Sequence, residues 1–245
     1  MEEKRMIEGR RPVLEALKAG SQVTRVCLQK GAHGGPVEEI ITLAKGQGIP
    51  VEYWEKSRLD QRAMTRNHQG IMAETPPFAY APFEQLLSPA DGEPPFLVIL
   101  DHLQDPHNLG ALVRTAYAAG CHGIVIPERR AAQMTPAAIR TAAGATEYLP
   151  IAKVVNIARC LDQCKQAGLW VYGADMSGDN LYTTGDYKGP LALVIGSEGE
   201  GLSRLSKEKC DYLVRLPMKG AVASLNASVA GALLLYEVLR QREGI

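Results

Sequence analysis

The sequence predicts an α/β protein, a C-terminal domain built on a mostly parallel sheet preceded by a smaller N-terminal α/β domain. Three observations lead there. Six of the fifteen prolines fall in "PPFAYAPFEQLLSPADGEPP", residues 76–95, and mark a boundary. Beyond it, six short apolar runs alternate with helical stretches, the pattern of a parallel sheet covered on both faces. Before it, helix and strand patterns also alternate, over a much shorter span. The expected division is residues 1–76, a linker over 77–95, and residues 96–245.

Taken in order, "RRPVLEALKAG" reads as a helix ending at Gly20, "VTRVCLQ" as a strand, and "PVEEIITLAKGQG" as a helix opened by proline and closed by glycine. "IPVEYWE" follows as a strand, "SRLDQRAM" as a short helix and "QGIMAE" as a strand. Within the proline-rich stretch only "FEQLL" suggests a turn of helix. The strands of the larger domain are "FLVILD", "GIVIP", "EYLPIA", "LWVYGA", "PLALVIG" and "DYLVRLP", and the chain ends on the helix "GALLLYEVL".

Composition narrows the class. Of 245 residues, 46% are hydrophobic and 22% charged, which is ordinary for a globular protein and excludes disordered and fibrous classes. Lys plus Arg balance Asp plus Glu at 27 each, so any nucleic-acid contact must come from a local patch. The charged start "MEEKRMIEGRRP" lacks the apolar stretch of a signal peptide, and no run reaches the roughly 18 apolar residues of a membrane helix. A cytoplasmic location with no membrane partner is the expectation. The five cysteines contain no C-x-x-C pair; Cys160 and Cys164 stand one helical turn apart with no second ligand pair beside them, so no metal site is expected.

Three loops carry chemistry, each at the C-terminal end of a strand, where ligands of open α/β sheets bind. The first, "HLQDPHNLGALVRTAYAAG", offers Asn108 or a neighbour as a helix cap, Gly110 in the first turn, and Arg114 about two turns in. By itself Arg114 also reads as a surface arginine whose stem lies along the helix. The second, "LVIGSEGEGLS", places Gly196, Gly199 and Gly201 around Glu198 and Glu200, letting backbone approach a ligand or take positive φ. Its G-x-x-G-x-G order fits neither the dinucleotide fingerprint nor a P-loop. In the third, "MKGAVASLNASVAGALLLYEVL", a helix begins with small residues where large ones would be usual, and Ser224, Asn226 and Ser228 are placed to cap it. A plain glycine turn and a capped core helix are the structural alternatives.

Together these loops resemble the SpoU branch of the SPOUT RNA methyltransferases. Its first motif, N-x-G-x-x-x-R, matches Asn108, Gly110 and Arg114, and "IGSEGEGL" and "LPMKGAVASLNASVAGALLLYE" resemble the second and third, in order, over residues 96–245. The resemblance implies a SPOUT-type α/β domain with a trefoil knot, a homodimer, and S-adenosylmethionine held among the loops. It assigns cofactor binding to Gly196, Gly201, Leu216, Met218, Ser224 and Leu225, with Gly173 of the "GADMS" loop. The small side chains of the third motif would let the chain pass a crowded knot. Because the similar transfer-RNA enzyme lacks an N-terminal domain, the two-domain plan points to 2′-O-methylation of a guanosine ribose in large-subunit (23S) ribosomal RNA. A ribosomal adenosine, transfer RNA, or a non-catalytic assembly role are the alternatives.

On this resemblance Arg114 steadies the developing alkoxide, because a guanidinium stays protonated and makes a poor base. Asn226 and Ser224 hold the ribose or orient Arg114, Asn108 fixes the first loop, and Glu198 pairs with Arg114 or braces the glycine loop. Arg114 is also expected to serve the partner chain's cofactor. Residues 1–76 carry 12 Lys and Arg against 10 Asp and Glu. Arg10, Arg11, Arg58, Arg62, Arg66 and His68 are the candidate contacts to RNA backbone, with a solvated face as the alternative for each.

Overall fold

The structure is a computed structural model that describes residues 5–18, 20–63, 67–88, 92–219 and 224–245. It divides into two compact units, Met1–Ala79 and Tyr80–Ile245.

The first unit runs β1 (Arg5–Glu8), α1 (Arg10–Lys18), β2 (Arg25–Gln29), α2 (Gly35–Gly46), β3 (Val51–Trp54), α3 (Lys56–Arg62) and β4 (Ile71–Thr75). Its four described strands lie in the order β1-β4-β2-β3, parallel between β2 and β3 and antiparallel elsewhere. The period of two sorts the side chains. Val26 and Leu28 pack with Val13, Leu17, Val37 and Ile40 of the helices on one face, while Cys27 packs with Trp54, Leu59 and Met72 on the other. Strand β1 was not expected. "RMIE" is half charged and pairs only with β4 at the sheet edge, so it needs no continuous apolar run.

The second unit runs α4 (Phe83–Leu86), β5 (Phe96–Asp101), α5 (Pro106–Ala118), β6 (Gly123–Pro127), α6 (Pro136–Thr141), β7 (Ile151–Val154), α7 (Ile157–Gln166), β8 (Trp170–Ala174), β9 (Asn180–Leu181), β10 (Leu191–Gly196), α8 (Arg204–Lys209), β11 (Tyr212–Arg215) and α9 (Ala227–Glu243). All seven described strands are parallel, in the order β7-β6-β5-β10-β8-β11-β9. Every residue of β5, β6 and β10 is buried, which is why these segments read as unbroken apolar runs. On one face Leu97, Ile99, Val125, Val171 and Val194 pack against α4 and α7, through Phe83, Leu86, Ile157 and Leu161. On the other, α9 crosses the sheet so closely that a side chain at Gly231 would overlap Leu112 of α5 and stand 2.9 Å from Ile195.

Two expectations are corrected here. Part of the supposed linker belongs to the second unit: Ala81 bridges to Ala152, Phe83 and Leu86 are buried, and Leu86 fills the space that Gly123 leaves without a side chain. The strand expected at "EYLPIA" begins later, at Ile151, because residues Ala145–Glu147 form a turn of 3-10 helix. Strand β9 is two exposed residues with no apolar signature. Cys27, Cys121, Cys160 and Cys164 are buried, and no cluster of His, Cys, Asp and Glu among the described residues could hold a metal. No described helix is long and apolar enough to cross a membrane.

Candidate active site

Beyond the C-terminal ends of β8, β10 and β11 lies a cavity of about 440 Å³, within the range typical of small-molecule sites. Three loops build its walls: Ala174–Ser177, the glycine loop Gly196–Gly201, and the approach to α9 through Leu216, Met218, Ser224 and Leu225. The glycine loop closes on itself, Ser197 N–H donating to the Gly201 carbonyl and Gly201 N–H to that of Ser197, each at 3.1 Å. It can do so because Gly196 has no side chain: a Cβ there would stand 2.5 Å from Leu202 N and closer still to the Gly201 carbonyl. Gly199 and Gly201 take φ of +112° and +67°, which L side chains rarely adopt.

Three charged residues that sequence reasoning did not single out shape this cavity and the loop that walls it: Asp175 and Lys207 in its lining, and Asp101 behind the glycine loop. Asp175, nearly buried at the end of β8, receives an ion pair from Lys207 at 2.8 Å and hydrogen bonds from Ser177 N–H and Oγ at 2.9 and 2.5 Å. Burial opposes its charge, but the bonds from Lys207 and Ser177 outweigh that and hold the carboxyl below its ordinary pKa. Asp101, fully buried at the end of β5, accepts from Ser203 N–H at 2.7 Å and so fixes the exit of the glycine loop; its other oxygen lies 2.6 Å from His102 Nδ1. The loop holding Asp175 was recognisable from its place after β8; nothing in the sequence marked Lys207.

A polar cluster ties the three motifs together. Asp105, not Asn108, caps α5, accepting from His107 N–H at 2.9 Å with Pro106 next in line. Asn108 is thereby freed to reach across, and it is almost wholly buried. Its Oδ1 accepts from Asn226 Nδ2 at 3.1 Å and Ser228 Oγ at 3.2 Å, and its Nδ2 donates to the Glu198 carboxylate. Asn226 caps α9, its Oδ1 accepting from Ser228 and Val229 N–H, so its amide is oriented by both helices at once.

Gly196, Gly201, Leu216, Met218, Ser224 and Leu225 all line the cavity, and Asn108, Asn226 and Glu198 come together. Gly173 does not line it. That glycine is packed inside the sheet, where a Cβ would meet Cys210, Leu202 and Leu213 at 2.7–2.9 Å. Glu198 bonds to Asn108 rather than to Arg114, which is exposed on α5 and has no hydrogen-bond or ion-pair partner among the described residues. Gly110 serves packing, since a side chain there would overlap the Ala138 carbonyl and stand 2.6 Å from Thr141 Cβ of α6.

In the first unit, Arg11 and Arg62 are exposed and Arg10 is half-buried beside Gln69, whose Oε1 accepts from its N–H at 3.2 Å. Arg58 lies over the Trp54 ring at 3.9 Å, and Arg66 lies outside the described residues. His68 is not a free contact. It is buried, its Nδ1 accepting from Gly70 N–H at 3.1 Å and its Nε2 bonded to Asp60 at 2.8 Å, which makes it a brace for the turn into β4.

Comparison with known proteins identifies relatives of both units. Residues 95–236 match the SpoU rRNA Methylase family, and residues 6–81 match the RNA 2′-O ribose methyltransferase substrate-binding domain. The Bacillus subtilis (strain 168) protein YacO, named for the TrmH family of tRNA/rRNA methyltransferases, is 46% identical over 97% of this chain and 96% of its own. The SpoU methyltransferase AviRb from Streptomyces viridochromogenes, in complex with the cofactor AdoMet, superposes with a TM-score of 0.82 at 25% identity, covering 99% of this chain and 92% of its own. An AdoMet-bound rRNA methyltransferase from Sinorhizobium meliloti gives 0.78 at 26% identity, over 97% and 87%. By the match to both of its domains, the chain belongs to the SpoU rRNA methylase family of RNA 2′-O-ribose methyltransferases.

Proposed function

We propose that the chain transfers a methyl group from S-adenosylmethionine to the ribose 2′-oxygen of a guanosine in large-subunit (23S) ribosomal RNA, and that among its family it is most like the RlmB enzymes. The observation that carries the reading is the Asn108 hub, which joins Glu198 and Asn226 beside a glycine-walled cavity. The cavity suits the cofactor chemically: exposed backbone along 196–201 to meet polar edges, apolar walls from Leu216, Met218 and Leu225, and the Asp175 carboxylate as an acceptor. Two relatives with bound AdoMet support the same assignment.

When bound, the cofactor supplies a methyl on positively charged sulfur, which needs no metal to activate it. The protein's task is to align the 2′-oxygen for in-line attack and to manage its proton. Asn226, held by its own helix and by Asn108, presents an oriented amide to the ribose, with Ser224 at the cavity edge. Arg114 supplies positive charge to the forming alkoxide and a neighbouring phosphate.

The Arg114 side chain has no partner among the described residues of its own chain, which supports its serving a second protomer. Helix α9 supports a homodimer as well. Leu234, Leu235 and Val238 are buried, yet Val229, Leu233 and Tyr236 repeat at i, i+4 and i+7 on its exposed side. A helix apolar on opposite faces has a second surface to cover. Residues 1–76, with Arg10, Arg11, Arg58, Arg62 and Arg66, are the RNA-binding domain of this reading, and the enzyme works in the cytoplasm.

The test is transfer of labelled methyl to unmodified ribosomal and transfer RNA, followed by digestion to nucleosides, with Arg114→Ala in parallel. The proposal expects 2′-O-methylguanosine from large-subunit RNA, lost in the variant. 2′-O-methyladenosine, or label in transfer RNA, replaces the substrate. No transfer to either RNA, with cofactor still bound, leaves a non-catalytic RNA-binding factor.

A further inference from the structure

A second loop shares the C-terminal rim of the sheet with the cavity. It runs over residues 128–134 between β6 and α6, and β6 neighbours β5, whose own loop leads to Asn108. Arg129 and Arg130 are both exposed on it. Neither side chain has an ion pair or hydrogen bond with the adjacent Glu128 or with any other described residue.

The backbone beneath them is held at many points. Glu128 N–H donates to the Val154 carbonyl at 2.9 Å and Ala132 N–H to that of Leu103 at 2.7 Å. Met134 N–H donates to the Tyr80 hydroxyl at 3.1 Å, and Gln133 Nε2 to the carbonyls of Pro127 and Ala131 at 3.0 and 3.1 Å. Gln104 then locks this loop to the one after β5. Its Nε2 donates to the carbonyls of His102 at 3.0 Å and Arg130 at 2.8 Å. Those two acceptors are two of the four described non-glycine residues with positive φ, at +62° and +55°.

A left-handed backbone under a long side chain costs stability, and such strain persists only where the surroundings enforce it. Here the enforcing bonds fix the backbone beneath two guanidiniums that gain nothing inside the protein. A solvated arginine needs no such support. Two rigidly based, unpaired guanidiniums match the oxygens of a phosphodiester chain, which they can grip bidentately. We propose that Arg129 and Arg130, positioned by Gln104, dock backbone phosphates of the RNA strand flanking the methylated nucleotide. This contact lies on the methyltransferase unit and is additional to the N-terminal domain. It rests on the RNA methyltransferase reading above.

The experiment measures methyl transfer by the full chain against RNA concentration at several salt concentrations. In Arg129→Gln/Arg130→Gln, the KM for RNA rises by on the order of tenfold per arginine. The slope of log kcat/KM against log salt becomes shallower by about 1.4–1.8, from roughly 0.7–0.9 per phosphate contact. Cofactor affinity and melting temperature stay at wild-type values. Arg129→Lys/Arg130→Lys keeps most of the salt slope, and Gln104→Ala raises the RNA KM with both arginines present and kcat unchanged. A folded Gln double variant with wild-type RNA KM and salt slope overturns the proposal. If the wild-type chain methylates no RNA, the functional reading fails on its own, and direct RNA binding by wild type and double variant decides the docking contact through the same slope.

Discussion

Gly196→Ala tests whether the glycine loop is a built wall or a passive turn. The added methyl would stand 2.5 Å from Leu202 N and overlap the Gly201 carbonyl, all backbone atoms that no rotamer change can move aside. Relief requires the loop to open and lose the two Ser197–Gly201 hydrogen bonds. Overpacking costs about 1–3 kcal/mol and each bond about 0.5–1.5 kcal/mol, so the loss is roughly 2–6 kcal/mol. At about 2–4 °C per kcal/mol for a unit of this size, the melting temperature falls by on the order of 12 °C. Gly189→Ala is the control, because a Cβ there meets nothing within 4 Å and its φ is not positive. Scanning calorimetry gives the first quantity and titration with S-adenosylhomocysteine the second, which should show binding lost in Gly196→Ala alone. Wild-type melting and affinity in Gly196→Ala would refute the geometry of the cavity wall.

Further predictions concern the cluster, the charge and the dimer. If Arg114 serves the partner's cavity, Arg114→Ala and Asn226→Ala are each inactive alone, yet refolding them together restores methyl transfer, because one site per mixed dimer has both residues; no recovery assigns Arg114 to its own chain. Asp175 has a folded pKa below its unfolded value of about 3.9, so its ion pair contributes stability above that pH and loses it as pH falls through the depressed value. Acid titration of Asp175→Asn followed by circular dichroism should therefore show a smaller stability loss below about pH 4 than wild type, and identical curves would remove the carboxylate from the balance. Leu233→Asp puts a charge on the exposed apolar side of α9 and should yield monomers in sedimentation with methyl transfer lost; active monomers would discard the dimer.

The strands most legible in the sequence were those buried on both faces, since "FLVILD", "GIVIP" and "PLALVIG" have no polar position to disguise them. Strands β1 and β9 escaped for the opposite reason, being short edge elements without a continuous apolar run. In the candidate site, the resemblance to the family's three motifs picked out Asn108, Glu198 and Asn226, but not how they connect. Which residue caps α5 turned on one competition, and Asp105 followed by Pro106 won it. Asp101 and Lys207 were hidden because their roles are tertiary: a buried carboxylate meeting a backbone N–H about 100 residues away, and an ion pair from α8 to the loop after β8. His68 misled because a histidine near arginines suggests RNA, while its burial and its bond to Asp60 appear only in three dimensions.

The Asn108 hub also dictates when in the life of the chain the site can exist. Its partners Glu198, Asn226 and Ser228 lie 90, 118 and 120 residues downstream. During synthesis, which proceeds from the N-terminus, the first unit and β5 to β7 are complete long before Asn108 has any partner. The cavity lacks a wall until Leu225 and the start of α9 have emerged, so a ligand held there is captured only once the chain has been made past Ala227. A nascent or C-terminally truncated protein carries the first motif without the means to use it, and ligand binding then stabilises only the completed fold.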